Sequence, residues 1–221
     1  RVGLFIGPFV GAAAISLFGL RAAYIVAVVA VSCTALLLLV VPDLPAPPGQ
    51  PKGVRGGIGT RQILRAYRSL YSTLGVAVFL VGAVRAARQT VLPLWAEHLG
   101  LSPASTSIVF GIANAVDMAL FYPAGKVMDQ LGRIAVALPS MTILGLSMMA
   151  LPLTHAPWTL TAVAMLMSFG NGIGSGIMMT LGADAAPADG RVRFLGIWRV
   201  LSDSGNAAGP LVVAGVAGIS T

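Results

Sequence analysis

Charge is what this sequence has least of. Only 10% of its 221 residues are Asp, Glu, Lys or Arg, while 57% are hydrophobic. Water-soluble domains carry about 25% charged residues, so too little polar surface exists here to face water on every side. Acid is scarcer than base, with seven Asp and Glu against fourteen Lys and Arg, a net charge of +7. Cysteine is reduced to Cys33, inside an apolar run. That excludes a disulfide framework and a Cys-x-x-Cys metal pair. The two histidines, His98 and His155, stand far apart with no partners at ligand spacing. There is no Ser–His–Asp set and no zinc or nucleotide motif. "GNGIGSG" at 170–176 lacks both the preceding strand and the Gly-Lys-Ser/Thr of a phosphate loop. The expectation is therefore a non-enzyme with no metal and no cofactor.

What the chain has is long apolar runs, and a mean hydropathy of +0.88. A membrane-crossing helix needs about 20 apolar residues. Seven stretches come near that length: 2–17, 22–41, 72–95, 104–124, 134–153, 158–181 and 196–217. Open strands leave unpaired edges in lipid, and barrels show alternating segments of about ten residues rather than continuous runs. The fold class is all-α, a polytopic membrane protein. The sequence starts at Arg1 and enters apolar sequence directly, without an n-region or cleavage site, so this is no signal peptide. It ends in the apolar "VVAGVAGIST"; a piece of a longer protein is expected.

The charges sort by side. Lys52, Arg55, Arg61, Arg65 and Arg68 lie between the second and third stretches, in a segment with prolines at 42, 45, 47, 48 and 51. Lys126 and Arg133 lie between the fourth and fifth, and Arg191 and Arg193 between the sixth and seventh. Alternating spans put these connections, with Arg1, on one side. The other side holds Arg21 with Glu97, His98 and His155. This is the positive-inside pattern. It accounts for the net charge without nucleic acid, and it makes the linker and residues 125–134 cytoplasmic in a plasma (inner) membrane protein. The linker can also touch anionic lipid, though a solvated connector is the simpler reading. Residues 61–70, "RQILRAYRSL", place Ile63, Leu64, Tyr67 and Leu70 at helical spacing, as in a short interfacial helix.

The tight turn "GKVMDQLGRI" at 125–134 is charged between two apolar spans. Gly125, Asp129, Gly132 and Arg133 resemble the G-x-x-x-D-x-x-G-R-[RK] pattern of the major facilitator superfamily of secondary transporters; Ile134 departs from its last position. Gly7, Pro8 and Gly11 are similar to the G-P-x-x-G of that family's drug/proton antiporters. "SLFGLRAAYIV" looks like its link between the fifth and sixth helices, with Arg21 at the basic position. The resemblance implies the fifth to eleventh of twelve helices. Residues 1–41 would be the last two helices of an N-terminal bundle, 42–71 a basic cytoplasmic linker, and 72–221 a C-terminal bundle of five helices lacking its last. A weak echo between Gly7-Pro8 and Gly209-Pro210 fits the internal repeats of transporters.

In the family, the Asp and Arg of the charged turn help hold one conformation. Physically, Asp129 can sit at the N-terminus of the next helix, Arg133 can pair with it at i+4, and Gly125 and Gly132 permit close backbone approach. The plainer alternative is a positive-inside turn. Arg85 and Arg88 share a face near the middle of a span, continued by Gln89, and Asp117 in the next span is their candidate counter-ion. Charges so placed face a bundle interior or cavity. They can bind substrate or exchange a proton, or serve as a helix clamp, or snorkel. Asn114 and Asn171 can line a pathway or bond across helices. Arg199 and Asp203 read as a structural i,i+4 pair. Trp95, Trp158 and Trp198, near span ends, read as interfacial anchors. Gly170, Gly172, Gly174 and Gly176, like Gly7 and Gly11, read as close-packing positions, with Pro8 as a kink. The methionines read as packing filler.

The expected function is a secondary transporter of a small organic solute working by alternating access. Proton-coupled export is implied by the antiporter-like helix. An organic-anion importer or exchanger, suggested by Arg85 and Arg88, is the alternative, and a non-transporting scaffold or receptor a third. Expected partners are a small-molecule substrate, a proton or other coupling ion, and the lipid bilayer, with no nucleic acid; a monomer is expected.

Overall fold

The computed structural model describes residues 2–41 and 59–219. Arg1 and the 42–58 part of the linker, with Lys52 and Arg55, lie outside the described residues, as do 220 and 221. The described residues form helices without strands. They are α1 (Val2–Phe18), α2 (Leu20–Val40), α3 (Thr60–Ala66), α4 (Arg68–His98), α5 (Pro103–Leu131), α6 (Arg133–Leu153), α7 (Pro157–Ala185) and α8 (Arg191–Ile219).

Local chemistry sets the ends. Gly19 has φ +79 and leaves no longer loop between α1 and α2. Ser102 caps α5, its side chain accepting from the Ser105 N–H at 3.2 Å, with Pro103 opening the helix. Gly132, at φ +88, makes the turn between α5 and α6, a conformation that favours glycine. Inside α4, Tyr71–Gly75 winds as a π-helical turn.

All seven expected stretches are helical for nearly all of their length, the sixth with turns at 174–176. Five helices, α2 and α4 to α7, are long and apolar enough to cross a membrane. The other two depart for different reasons. α1 is apolar but has 17 residues. α8 is long, but Arg191, Arg193, Arg199 and Asp203 dilute its N-terminal half.

α7 packs against both α5 and α6, α1 lies along α5, and α2 packs on α1. No residue of α2 is buried. α4 and α8 form a tight pair; both touch α7, and α4 also touches α5. Glycine permits their approach. A methyl on Gly205 would strike the Phe79 carbonyl, one on Gly209 the Ala83 carbonyl, and one on Gly82 the Ser202 carbonyl.

The apolar core falls into clusters at the two ends of the bundle. One unites Leu92, Ala96, Val109, Leu144, Leu160 and Met167. At the end carrying the basic residues, Ile63, Tyr71, Phe194 and Trp198 form a second, and Met128, Val136 and Ile177 a third. Between the ends lies a layer of buried polar groups: Arg88, Asp117, Ser140, Ser168 and Asn171.

Candidate functional site

The polar layer is assembled from the middles of four helices. Arg88, 5% exposed, donates from Nη1 to Ser168 Oγ at 2.8 Å. Asp117, 4% exposed, accepts at Oδ1 from Asn171 Nδ2 at 2.6 Å. Arg85, half-buried, donates from Nη2 to the Gly174 carbonyl. Ser140 Oγ donates to the Gly170 carbonyl at 2.7 Å. The structure thus brings Arg85, Arg88, Asp117 and Asn171 to one level.

The glycine-rich stretch explains how α7 enters this layer. α7 is helical over Pro157–Ile173 and again over Ile177–Ala185, with turns between. At the break, a helix terminus leaves carbonyls without intrahelical donors. The Gly174 carbonyl accepts from the Ile177 N–H at 3.2 Å and also from the Arg85 guanidinium. Methyls on Gly170, Gly172 and Gly174 would meet α6, α5 and Arg85 respectively, so these glycines are close-packing positions. Gly176 is not tightly enclosed, its nearest neighbour being Met128 Cε at 3.5 Å.

Other expected members lie elsewhere. Gln89 is exposed and stays outside the layer. Asn114 donates to the Leu4 carbonyl at 3.0 Å, which ties α5 to α1. Among the described residues, a Cβ on Gly7 or Gly11 meets nothing within 4 Å. α1 instead meets α5 through the Phe9 ring, which lies over Gly111.

The charged turn keeps the expected i,i+4 pair, at 4.0 Å, and adds a closer partner. Arg133 donates from Nε to Asp184 Oδ2 at 2.9 Å, and Nη2 lies 2.9 Å from the same oxygen. Nη1 donates to the Met128 carbonyl at 3.2 Å. Asp129 is 4.0 Å away and its side chain is 77% exposed. It belongs to the last turn of α5 and does not cap α6, whose N-terminal position is Gly132. Gly125 sits inside α5, where an added Cβ meets nothing within 4 Å among the described residues. Lys126 Nζ stands over the Tyr122 ring, 5.7 Å from its centroid.

Two cavities adjoin these groups. One, of about 530 Å³, lies between α7 and α8 and is lined by Met178, Met179, Trp198, Arg199, Ser202 and Asp203. Trp198 is buried, packs on Gly182 and donates to the Met178 carbonyl at 2.9 Å, so it is not an interfacial anchor. Trp158 is exposed, as an anchor would be. Trp95 donates to Thr154 Oγ1 at 2.8 Å. Arg199 and Asp203 pair at 2.9 Å, as expected. The other cavity, of about 410 Å³, is lined by Tyr122, Lys126, Asp129 and Gly176. No group of three or more metal-ligating residues occurs among the described residues.

Sequence reasoning missed Asp184, Ser140 and Ser168. Asp184 carried one signal, as one of the few acids at the basic end. The two serines carried none, because an i−4 carbonyl satisfies many serines in apolar helices.

Comparison with known proteins adds an independent line. The family model of the Major Facilitator Superfamily matches residues 1–210. An MFS-type transporter, clz4 of Cochliobolus lunatus, is 29% identical over 151 residues, which cover 66% of this chain and 26% of that protein. The chain thus spans about a quarter of the length of that relative.

Proposed function

Since the chain belongs to the Major Facilitator Superfamily, an integral membrane family of transport proteins rather than enzymes, we propose that it forms part of a secondary transporter. It moves a small organic solute across the bilayer by alternating access, with proton-coupled export as the direction and coupling. The observation that carries this reading is the polar layer. A central Arg or Asp costs about 2.5–3.5 kcal/mol to place in a membrane helix. Here Arg88 and Asp117 are buried at one level, between apolar clusters at either end. Asp117, bonded by the Asn171 amide, is the group that can load and release a proton. The Arg133–Asp184 pair ties the start of α6 to the end of α7 and serves as the gate. It breaks when the bundle opens at that end.

The second reading, exchange or import of an organic anion, has its own support. The mid-span charges of α4 and α5 are Arg85, Arg88 and Asp117, so base outnumbers acid in the layer. Residues 1–41 would belong to an N-terminal bundle, 42–71 to a cytoplasmic linker and 72–221 to a C-terminal bundle. The full-length protein in vesicles with an imposed pH gradient tests both readings. Flux of a cationic dye supports export. Flux of a labelled organic anion that Arg85→Ala abolishes supports the second. Flux of neither rejects transport.

A further inference from the structure

The basic end of the bundle carries a feature that transport does not use. α3 is short, and it is held in place by burying one face. Ile63 is 1% exposed, and Tyr67 meets the Phe194 ring edge-on at 5.5 Å between centroids. Phe194, in the first turns of α8, is fully buried and stacks on Tyr71 at 5.2 Å. The Tyr71 hydroxyl also donates to the Phe194 carbonyl. These contacts lock α3, the start of α4 and the start of α8 into one block.

The block gathers arginine. Arg61 and Arg65 flank Ile63, Arg68 follows Tyr67, Arg193 precedes Phe194, and Arg191 is one turn earlier. All five are exposed. Exposed apolar side chains sit among them, Leu64 on α3 and Val192 on α8. The acidic groups of the neighbourhood are few. Among the described residues Asp184 is engaged by Arg133 and Asp203 by Arg199, Asp129 is exposed at the end of α5, and Asp189 lies in the turn before α8. Base therefore exceeds acid strongly at a place where helices of a membrane protein begin.

We propose that Arg61, Arg65 and Arg68 of α3 and α4, with Arg191 and Arg193 of α8, form a binding surface for anionic lipid headgroups. The reasoning is charge complementarity joined to amphipathicity. Guanidinium forks match phosphate oxygens in a way that strongly hydrated ammonium groups do not. Leu64 and Val192 enter the acyl boundary beside the headgroup, as the apolar side chains of an interfacial helix do. Because Phe194 joins the two arginine groups, a bound headgroup bridges α3 to α8 and stabilises the block. This inference rests on the chain lying in a bilayer and not on what it carries, so its test stands apart from any flux assay.

The experiment uses the full-length protein purified in detergent, titrated with short-chain phosphatidylglycerol while its thermal midpoint is followed. The probes for comparison are short-chain phosphatidylcholine and inorganic phosphate. Phosphatidylglycerol alone should raise the midpoint, and the rise should shrink in high salt. The variant Arg61→Gln/Arg65→Gln/Arg68→Gln and the variant Arg191→Gln/Arg193→Gln should each weaken the apparent lipid affinity at least about tenfold. Arg21→Gln, in the α1–α2 turn, should leave it unchanged. The lipid-free midpoint of each variant shows whether it folds, and the two variants test the surface independently. An equal response to phosphatidylcholine, an equal response to inorganic phosphate, or full retention of affinity in both folded variants would each overturn the proposal.

Discussion

Arg133 lies 2.9 Å from Asp184, on the last turn of α7, and 4.0 Å from Asp129, four residues before it. The nearer carboxylate also accepts the Nε hydrogen bond, so the ion pair joins two helices rather than closing a local turn. An i,i+4 pair contributes about 0.3–0.5 kcal/mol when exposed. A bond between helix ends is broken outright when those ends separate, so it can bias the two states of a rocking bundle. Asp184→Asn should therefore raise labelling of cysteines placed at the basic end by several-fold, and Asp129→Asn by less. Cys33 is the only cysteine in the sequence, so Cys33→Ser gives the background. Equal effects from the two substitutions would remove the gate from Asp184.

Asp117 and Asn171 should behave as a unit. Asn171→Ala removes one donor from a buried carboxylate, and Asp117→Ala removes the acceptor of that bond; either loss costs about 1–3 kcal/mol. Asp117→Asn keeps the volume but cannot ionise. It should lower the thermal midpoint modestly and abolish pH-gradient-driven flux, while exchange flux without a gradient persists. A variant that lost both to the same degree would make Asp117 a structural clamp instead.

Much of the architecture was legible because lipid imposes it. Runs such as 104–124 and 134–153 can only be helices, and Gly132 with Arg133 marks a turn wherever it falls. The polar layer was half legible. Arg85, Arg88 and Asp117 stand out because charge is rare, but Ser140 and Ser168 look like any small residue in an apolar helix. Partner choice was not legible. Asp129 is near Arg133 in sequence and Asp184 is 51 residues away, and only the extension of α7 beyond residue 181 brings it back. The tryptophans failed for a related reason. Trp198 lies near a span end, as an anchor would, and is buried because Gly182 of α7 leaves room for its ring.

Glycines with the same sequence signature should differ in what they do. Gly205 and Gly209 face the α4 backbone, whereas among the described residues nothing lies within 4 Å of a Cβ on Gly7 or Gly11. Gly205→Val or Gly209→Val forces α4 and α8 apart, at about 1–3 kcal/mol or more. Each should lower the thermal midpoint of the purified protein markedly. Gly7→Ala and Gly11→Ala should leave it within error or raise it, since alanine is the better helix former. If Gly7→Ala or Gly11→Ala nevertheless changes flux, the antiporter-like motif acts in the transport cycle and not in holding this bundle together.

Gly174 sits where the two halves of α7 meet, and its surroundings define a steric test of the layer. A methyl there would strike Ser140 Oγ and stand 2.7 Å from Arg85 Nη2. Gly174→Ala therefore pushes against a serine that is completely buried and against the guanidinium that holds the Gly174 carbonyl. Destabilisation of about 1–3 kcal/mol is expected from such overpacking. Ser140→Ala removes the hydroxyl in the way, at the loss of its bond to Gly170. The double variant should then be more stable than the two single effects predict when added, as residues in direct contact commonly are. Thermal denaturation of the four proteins in this cycle measures the coupling. Strict additivity would mean that α7 shifts at its break to absorb the methyl, which would make residues 174–176 a compliant hinge rather than a fixed joint.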